Sequence, residues 1–139
     1  MHASIAEVVP DSNVWTITIK DVTRNETYST TVPYTSSHAT AEWIEETPVV
    51  ISDDGAVSVG PLPDLTTVHF DLARTNASPA NLTAAEEMQL VNSDGSALMT
   101  PSSPDSEADG FNDCSYLASC TAPDAVPVRS RPGRRVGHG

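Results

Sequence analysis

The residues best suited to chemistry lie in one acidic and aromatic stretch, residues 41–46, which reads Ala-Glu-Trp-Ile-Glu-Glu. Its composition predicts a β-strand, whose period of two places Glu42, Ile44 and Glu46 on one face. Carboxylates four residues apart on a strand lie about 13 Å from each other. This separation is too large for the carboxylate pair of a glycosidase. A glutamate here would therefore act singly as a general base, with a partner from elsewhere in the chain.

Four segments surround or contain this stretch: residues 32–34 (Val-Pro-Tyr), 40–48 (Thr-Ala-Glu-Trp-Ile-Glu-Glu-Thr-Pro), 61–65 (Pro-Leu-Pro-Asp-Leu) and 68–70 (Val-His-Phe). In this order they resemble the second half of the glutamic peptidases (eqolisins). The resemblance extends loosely from His2 to Phe111. It implies an acid-acting, extracellular endopeptidase built as an antiparallel β-sandwich.

The resemblance also implies catalytic roles. Glu42 matches the family's catalytic glutamate, and Glu46 is the alternative. In that family the glutamate activates water as a general base, while a glutamine amide stabilises the developing oxyanion. The family's glutamine precedes the glutamate, whereas the single glutamine here, Gln89, follows it. We therefore predict a homologue or fragment of a secreted glutamic endopeptidase that is inactive alone, because the glutamine-bearing half is missing. A polypeptide would be its substrate only if that half completed it.

Two other interpretations remain open at this stage. A lectin-like β-sandwich could bind carbohydrate or protein through exposed aromatic rings, for which the candidates are Trp15, Trp43, Tyr28 and Tyr34. An open reading frame without function is the other alternative. Met1 is followed by no basic and apolar leader, although the resembled family is exported. This leads us to expect an internal start or a broken reading frame.

Composition excludes several classes of function. The chain has 139 residues, which suits one domain, and 19 acidic against 7 basic side chains make a nucleic-acid partner unlikely to be accommodated. No apolar run is long enough to cross a membrane. We predict no metal and no cofactor, because His38 has no ligand neighbours at metal spacing and Asp53-Asp54-Gly55 is typical of a solvated turn.

Alternating apolar and polar residues predict an all-β fold. The predicted strands are residues 2–9, 14–20, 27–34, 41–46, 49–51, 66–74, 88–91 and 97–99. In the second strand Trp15, Ile17 and Ile19 are expected to face inward. We predict an antiparallel, concanavalin-like β-sandwich over residues 1–100, incomplete because one half is missing.

Residues 101–139 form a predicted disordered tail. The segment begins with Ser, Pro and Asp, and it ends with a basic stretch that contains Arg129, Arg131, Arg134 and Arg135. A frameshift would also explain this change of composition. Cys114 and Cys120 could close a small loop in an exported protein, and we assign them no function.

Overall fold

The computed structural model describes residues 1–123, which are all-β and antiparallel, as the sequence predicts. The chain divides into two compact units, Met1–Glu42 and Trp43–Gly139. The strands are β1 (His2–Glu7), β2 (Val14–Asp21), β3 (Glu26–Pro33), β4 (Val49–Ile51), β5 (Val57–Val59), β6 (Thr67–Phe70), β7 (Arg74–Thr75), β8 (Ser78–Pro79), β9 (Leu90–Val91), β10 (Ala97–Pro101) and β11 (Phe111–Ser115), with one 3-10 turn at Ala84–Glu86. Within residues 1–123 no helix has the length and apolar character needed to cross a membrane.

The first unit is a meander of β1, β2 and β3, and it confirms the three strands predicted there. The turn between β1 and β2 places Asp11 and Asn13 at positive φ, a conformation that Asp and Asn tolerate better than most residues. Glu7 stabilises this turn, because its carboxylate accepts the backbone N–H groups of Asp11 at 2.9 Å and Asn13 at 2.8 Å. Short turns thus hold strands adjacent in sequence side by side.

Trp15 anchors one face of this meander. Its indole Nε1 donates to the Tyr34 carbonyl at 2.8 Å, and its ring meets the edge of the His38 ring at a centroid distance of 5.4 Å. The same face is otherwise open: Ile5 is 68% exposed and Tyr28 is 66% exposed. The strand pattern was therefore predicted correctly, but its apolar side is covered only around Trp15.

The second unit is built on a four-stranded antiparallel sheet with the order β6-β11-β10-β9. The central strand β11 lies between β6 and β10 and falls inside the segment predicted to be disordered. That prediction is wrong for residues 101–123, since Asp113 and Cys114 are buried in β11. The Ser- and Asp-rich residues before β11 fold because their side chains bind the loop backbone: Ser102 Oγ accepts the Asn112 N–H at 3.0 Å.

The remaining tail, residues 124–139, lies outside the described residues, and with it the basic stretch. The predicted domain boundary at residue 100 also differs from the structure, which divides the chain after Glu42. The finer expectation of a concanavalin-like sandwich stays a prediction.

The predicted strand at residues 41–46 is wrong, because residues 34–48 contain no strand. The alternation itself is retained. Trp43, Glu45 and Thr47 are half-buried, whereas Ile44 and Glu46 are exposed. A strand requires a hydrogen-bonding neighbour as well as an alternating pattern, and among the described residues no edge pairs with this segment.

The sheet of the second unit has two differently covered faces. Cross-strand register and alternation place Asp113 and Ser115 on one face, which we call the Asp113 face, and Asn112 and Cys114 on the other, the Asn112 face. Ser115 Oγ donates to Asp64 Oδ1 at 3.1 Å, so the segment that carries Asp64 covers the Asp113 face.

Residues 116–121 cover the Asn112 face. Asn112 Nδ2 donates to the Thr121 carbonyl at 2.9 Å, and Thr100 Oγ1 donates to the Leu117 carbonyl at 2.5 Å. A disulfide bond joins Cys114 to Cys120 and ties this loop to the central strand. The proposed closure of a small loop by these two cysteines is thereby confirmed.

Reduction of the Cys114–Cys120 disulfide is expected to destabilise the second unit by about 2 kcal/mol, because a loop this short removes a modest amount of entropy from the unfolded chain. The measurement is urea unfolding with and without a thiol reductant. The control is the double variant Cys114→Ser/Cys120→Ser, whose unfolding midpoint should not respond to reductant. An equal response in both proteins would contradict the expectation.

Candidate functional site

The two glutamates predicted from sequence lie on an extended, unpaired segment. Glu42 ends the first unit and Glu46 lies near the start of the second, and both side chains are exposed. Neither carboxylate makes a hydrogen bond or ion pair within residues 1–123. Gln89 is engaged elsewhere, since its amide donates to Thr100 Oγ1 at 2.6 Å. No hydrogen bond in the described part of the chain joins this glutamine to either glutamate.

A different carboxylate is the most unusual ionisable group of the molecule. Asp113 is only 6% exposed, and its Oδ1 has no hydrogen-bond partner among the described residues. Burial, and then the negative charge of Glu45, raises the pKa of the Asp113 carboxyl from 3.8 to about 6. Glu45 belongs to the half-buried side of the segment that sequence reasoning singled out for Glu42 and Glu46.

The surroundings of Asp113 explain why its oxygen lacks a partner. Val68 on β6 and Pro101 on β10 lie directly opposite it, and neither side chain has a donor. Next along the same face, Phe111 is apolar and the Ser115 hydroxyl already donates to Asp64. A buried acceptor without a donor favours the protonated carboxyl, because charging it there loses the hydration that water would supply.

Asp113 can therefore hold a proton well above the usual pH range of a carboxyl group. Its burial separates it from bulk solvent, so the arrangement suits proton storage near Glu45 better than direct attack on a substrate. Sequence reasoning missed this residue because it treated residues 101–139 as unpacked. The signal was present: alternation in the sequence Phe-Asn-Asp-Cys-Ser puts Asp113 on the same face as Phe111.

A second group of acids brings together Asp71, Asp105 and Asp109, each with a carboxylate oxygen within 4.8 Å of the others. Desolvation, then the charges of Asp105, Asp71 and Glu107, raises the pKa of Asp109, and Arg74 opposes this rise. Clustered carboxylates of this kind suit hard cations such as Ca²⁺, which usually takes six to eight oxygen ligands. Three carboxylates supply part of such a shell.

Sequence reasoning also missed this acidic group. The signal that could have found it is the run Asp105-Ser106-Glu107-Ala108-Asp109-Gly110, in which acids alternate before a glycine as in the first half of a calcium loop. Asp71 comes from a distant part of the sequence and joins through the pairing of β6 with β11.

The other candidates behave as local structure. Asp54 Oδ1 accepts the Ala56 N–H at 3.0 Å beside Gly55, which has a φ of 82°, so the predicted turn at 53–55 is confirmed. His38 packs against Trp15. His69 Nδ1 lies 2.9 Å from Asn112 Oδ1 on the Asn112 face.

No protein-family model, curated protein or solved structure matches this chain. The relationship to the glutamic peptidases therefore stays a prediction from the order and identity of the sequence motifs.

Proposed function

We propose that this chain is a homologue or fragment of a secreted, acid-acting glutamic endopeptidase in which Glu42 is the general base. The observation that carries the proposal is the order of motifs from residue 32 to residue 70, with Thr-Ala-Glu-Trp-Ile-Glu-Glu-Thr-Pro at its centre. Glu46 is the alternative base. The all-β antiparallel architecture is compatible with this proposal.

The exposure of the glutamate-bearing segment supports the proposal. Glu42 is accessible to solvent, as a carboxylate that activates water must be. Within the described residues, the backbone of residues 41–47 makes no hydrogen bond to another segment. An extended segment with free backbone groups is able to pair with a further strand. A glutamine-bearing half could pair with the sheet in this way.

The chain alone is proposed to be inactive. Its single glutamine follows the glutamate motif and donates its amide to Thr100. Loss of one oxyanion donor reduces the rate by about a hundredfold to a thousandfold in enzymes where this has been measured. Loss of the strands that shape the cleft adds to this, so a general base without its partner should not give measurable peptide hydrolysis.

The first test is proteolysis of an unfolded protein substrate between pH 2 and pH 5. The chain alone should give no cleavage above background. The chain mixed with a glutamine-bearing first half from a glutamic peptidase should give cleavage that Glu42→Gln abolishes and that Glu46→Gln retains. Loss of cleavage in Glu46→Gln alone would assign the base to Glu46. Cleavage by the unmixed chain that Glu42→Gln removes would contradict the proposed inactivity.

The lectin-like alternative has weaker support. Trp15 is occupied by its contacts with His38 and Tyr34, and Trp43 is half-buried, so neither ring is fully free to stack on a sugar. Tyr28 and Tyr34 are exposed and remain candidates. Glycan-array or calorimetric binding that is lost in Tyr28→Ala and Tyr34→Ala would favour this alternative.

A further inference from the structure

We propose that Asp113 and Glu45 form a proton-operated latch, which holds residues 43–47 against the four-stranded sheet in acid and releases them when both carboxyl groups ionise. The latch is independent of the peptidase proposal, because it concerns the position of one segment and not hydrolysis. Its parts are a buried carboxyl on the central strand, a second carboxyl on the covering segment, and the lack of a backbone ladder between them.

Side chains, and not backbone pairing, hold the segment in place. Residues 43–47 belong to no strand, and in the described part of the chain their backbone groups bond to no other segment. The first backbone bond after them is the Gly60 N–H to the Pro48 carbonyl, at 2.7 Å. Trp43, Glu45 and Thr47 are nevertheless half-buried. The docking of this segment therefore depends on what those side chains meet on the sheet.

The charges around Asp113 are almost all negative or remote. Glu45 is the charged group that acts on it. Asp64, on the same covering segment, is bound by Ser115, and the neighbouring Glu46 is exposed. From β6, His69 points to the opposite face, where it meets Asn112. Strand β10 carries no ionisable side chain.

No basic side chain compensates this pair. Arg74 is the only Lys or Arg between residues 43 and 123, and its guanidinium donates to the Ala77 carbonyl at 3.0 Å. Two carboxylates that share a poorly hydrated site cannot both ionise without repulsion. With one proton retained, the repulsion disappears and a carboxyl O–H becomes available as a donor. The rise of the Asp113 pKa to about 6 agrees with this arrangement.

The test uses Trp43 as a reporter, since it lies on the same side of the segment as Glu45. In the Trp15→Phe background, Trp43 fluorescence and its quenching by acrylamide are followed from pH 4 to pH 8. We expect Trp43 to become more accessible with a midpoint near pH 6. In Asp113→Asn, which cannot ionise, Trp43 should stay protected throughout. In Glu45→Gln the midpoint should move to lower pH, because the neighbouring negative charge is removed.

Glu46→Gln is the matched control, because it removes an exposed charge beside Glu45 and should leave the midpoint unchanged. Far-UV circular dichroism at each pH separates segment release from unfolding. If Asp113→Asn does not fold, Glu45→Gln carries the test, and an unmoved midpoint overturns the latch. The latch is also overturned by a Trp43 transition that persists in folded Asp113→Asn, or by constant Trp43 accessibility in the parent protein.

Discussion

Replacement of Met99 by alanine is expected to lower the free energy of unfolding of the second unit by about 2–5 kcal/mol, the usual cost of truncating a buried methionine. Met99 is 1% exposed and is the largest fully buried side chain in the described part of the chain. It lies on β10, opposite Ser115 of the central strand. The loss combines the lost burial of apolar atoms with the cavity left in a small core.

Met88→Ala is the matched control, since Met88 is the same residue type and is 70% exposed. Its substitution should change the free energy of unfolding by no more than about 0.5 kcal/mol. The measurement is urea unfolding of both variants and the parent, followed by circular dichroism. Equal effects at the two positions would show that Met99 is not a core residue and that the register of β10 is different.

The second large effect is a loss of stability as the pH rises. The folded-state pKa of Asp113 is about 6, above its usual 3.8, so the folded protein binds this proton more tightly than the unfolded chain. The stabilising contribution is therefore complete below pH 3.8 and is lost as the pH rises through 6. Two pKa units correspond to about 3 kcal/mol.

The measurement is urea unfolding at pH 4, 5, 6 and 7, with the difference between Asp113→Asn and the parent taken at each pH. The asparagine variant should gain on the parent by about 3 kcal/mol between the two ends of this range, since it has no proton to lose. Asp53→Asn, in an exposed turn, is the control and should follow the parent. If Asp113→Asn followed the parent as well, burial of Asp113 would be wrong.

The sequence determined those elements whose partners are their neighbours in the chain. The strands β1, β2 and β3 follow from alternation and from short turns at Pro10 to Asn13 and around Asn25, so both pattern and pairing are local. The hairpin of β4 and β5 follows in the same way from an apolar run and the Asp-Gly turn.

Residues 41–46 show where this reasoning stops. Alternation correctly indicated which side chains share a side, and Trp43 and Glu45 are indeed the half-buried pair. It could not indicate whether another strand lies within hydrogen-bonding distance, because that depends on segments remote in sequence. The strand prediction failed for that reason, and the catalytic role of Glu42 remains untested.

Tertiary structure alone decided the centre of the second unit. Composition made residues 101–123 look unpacked, yet Phe111 pairs with Phe70 across a long stretch of chain, and the two rings stack at 4.8 Å. That long-range pairing also buries Asp113 beside Glu45. The sequence supplied both acids, but a carboxyl group acquires an unusual pKa only from the neighbours and the loss of water that folding imposes on it.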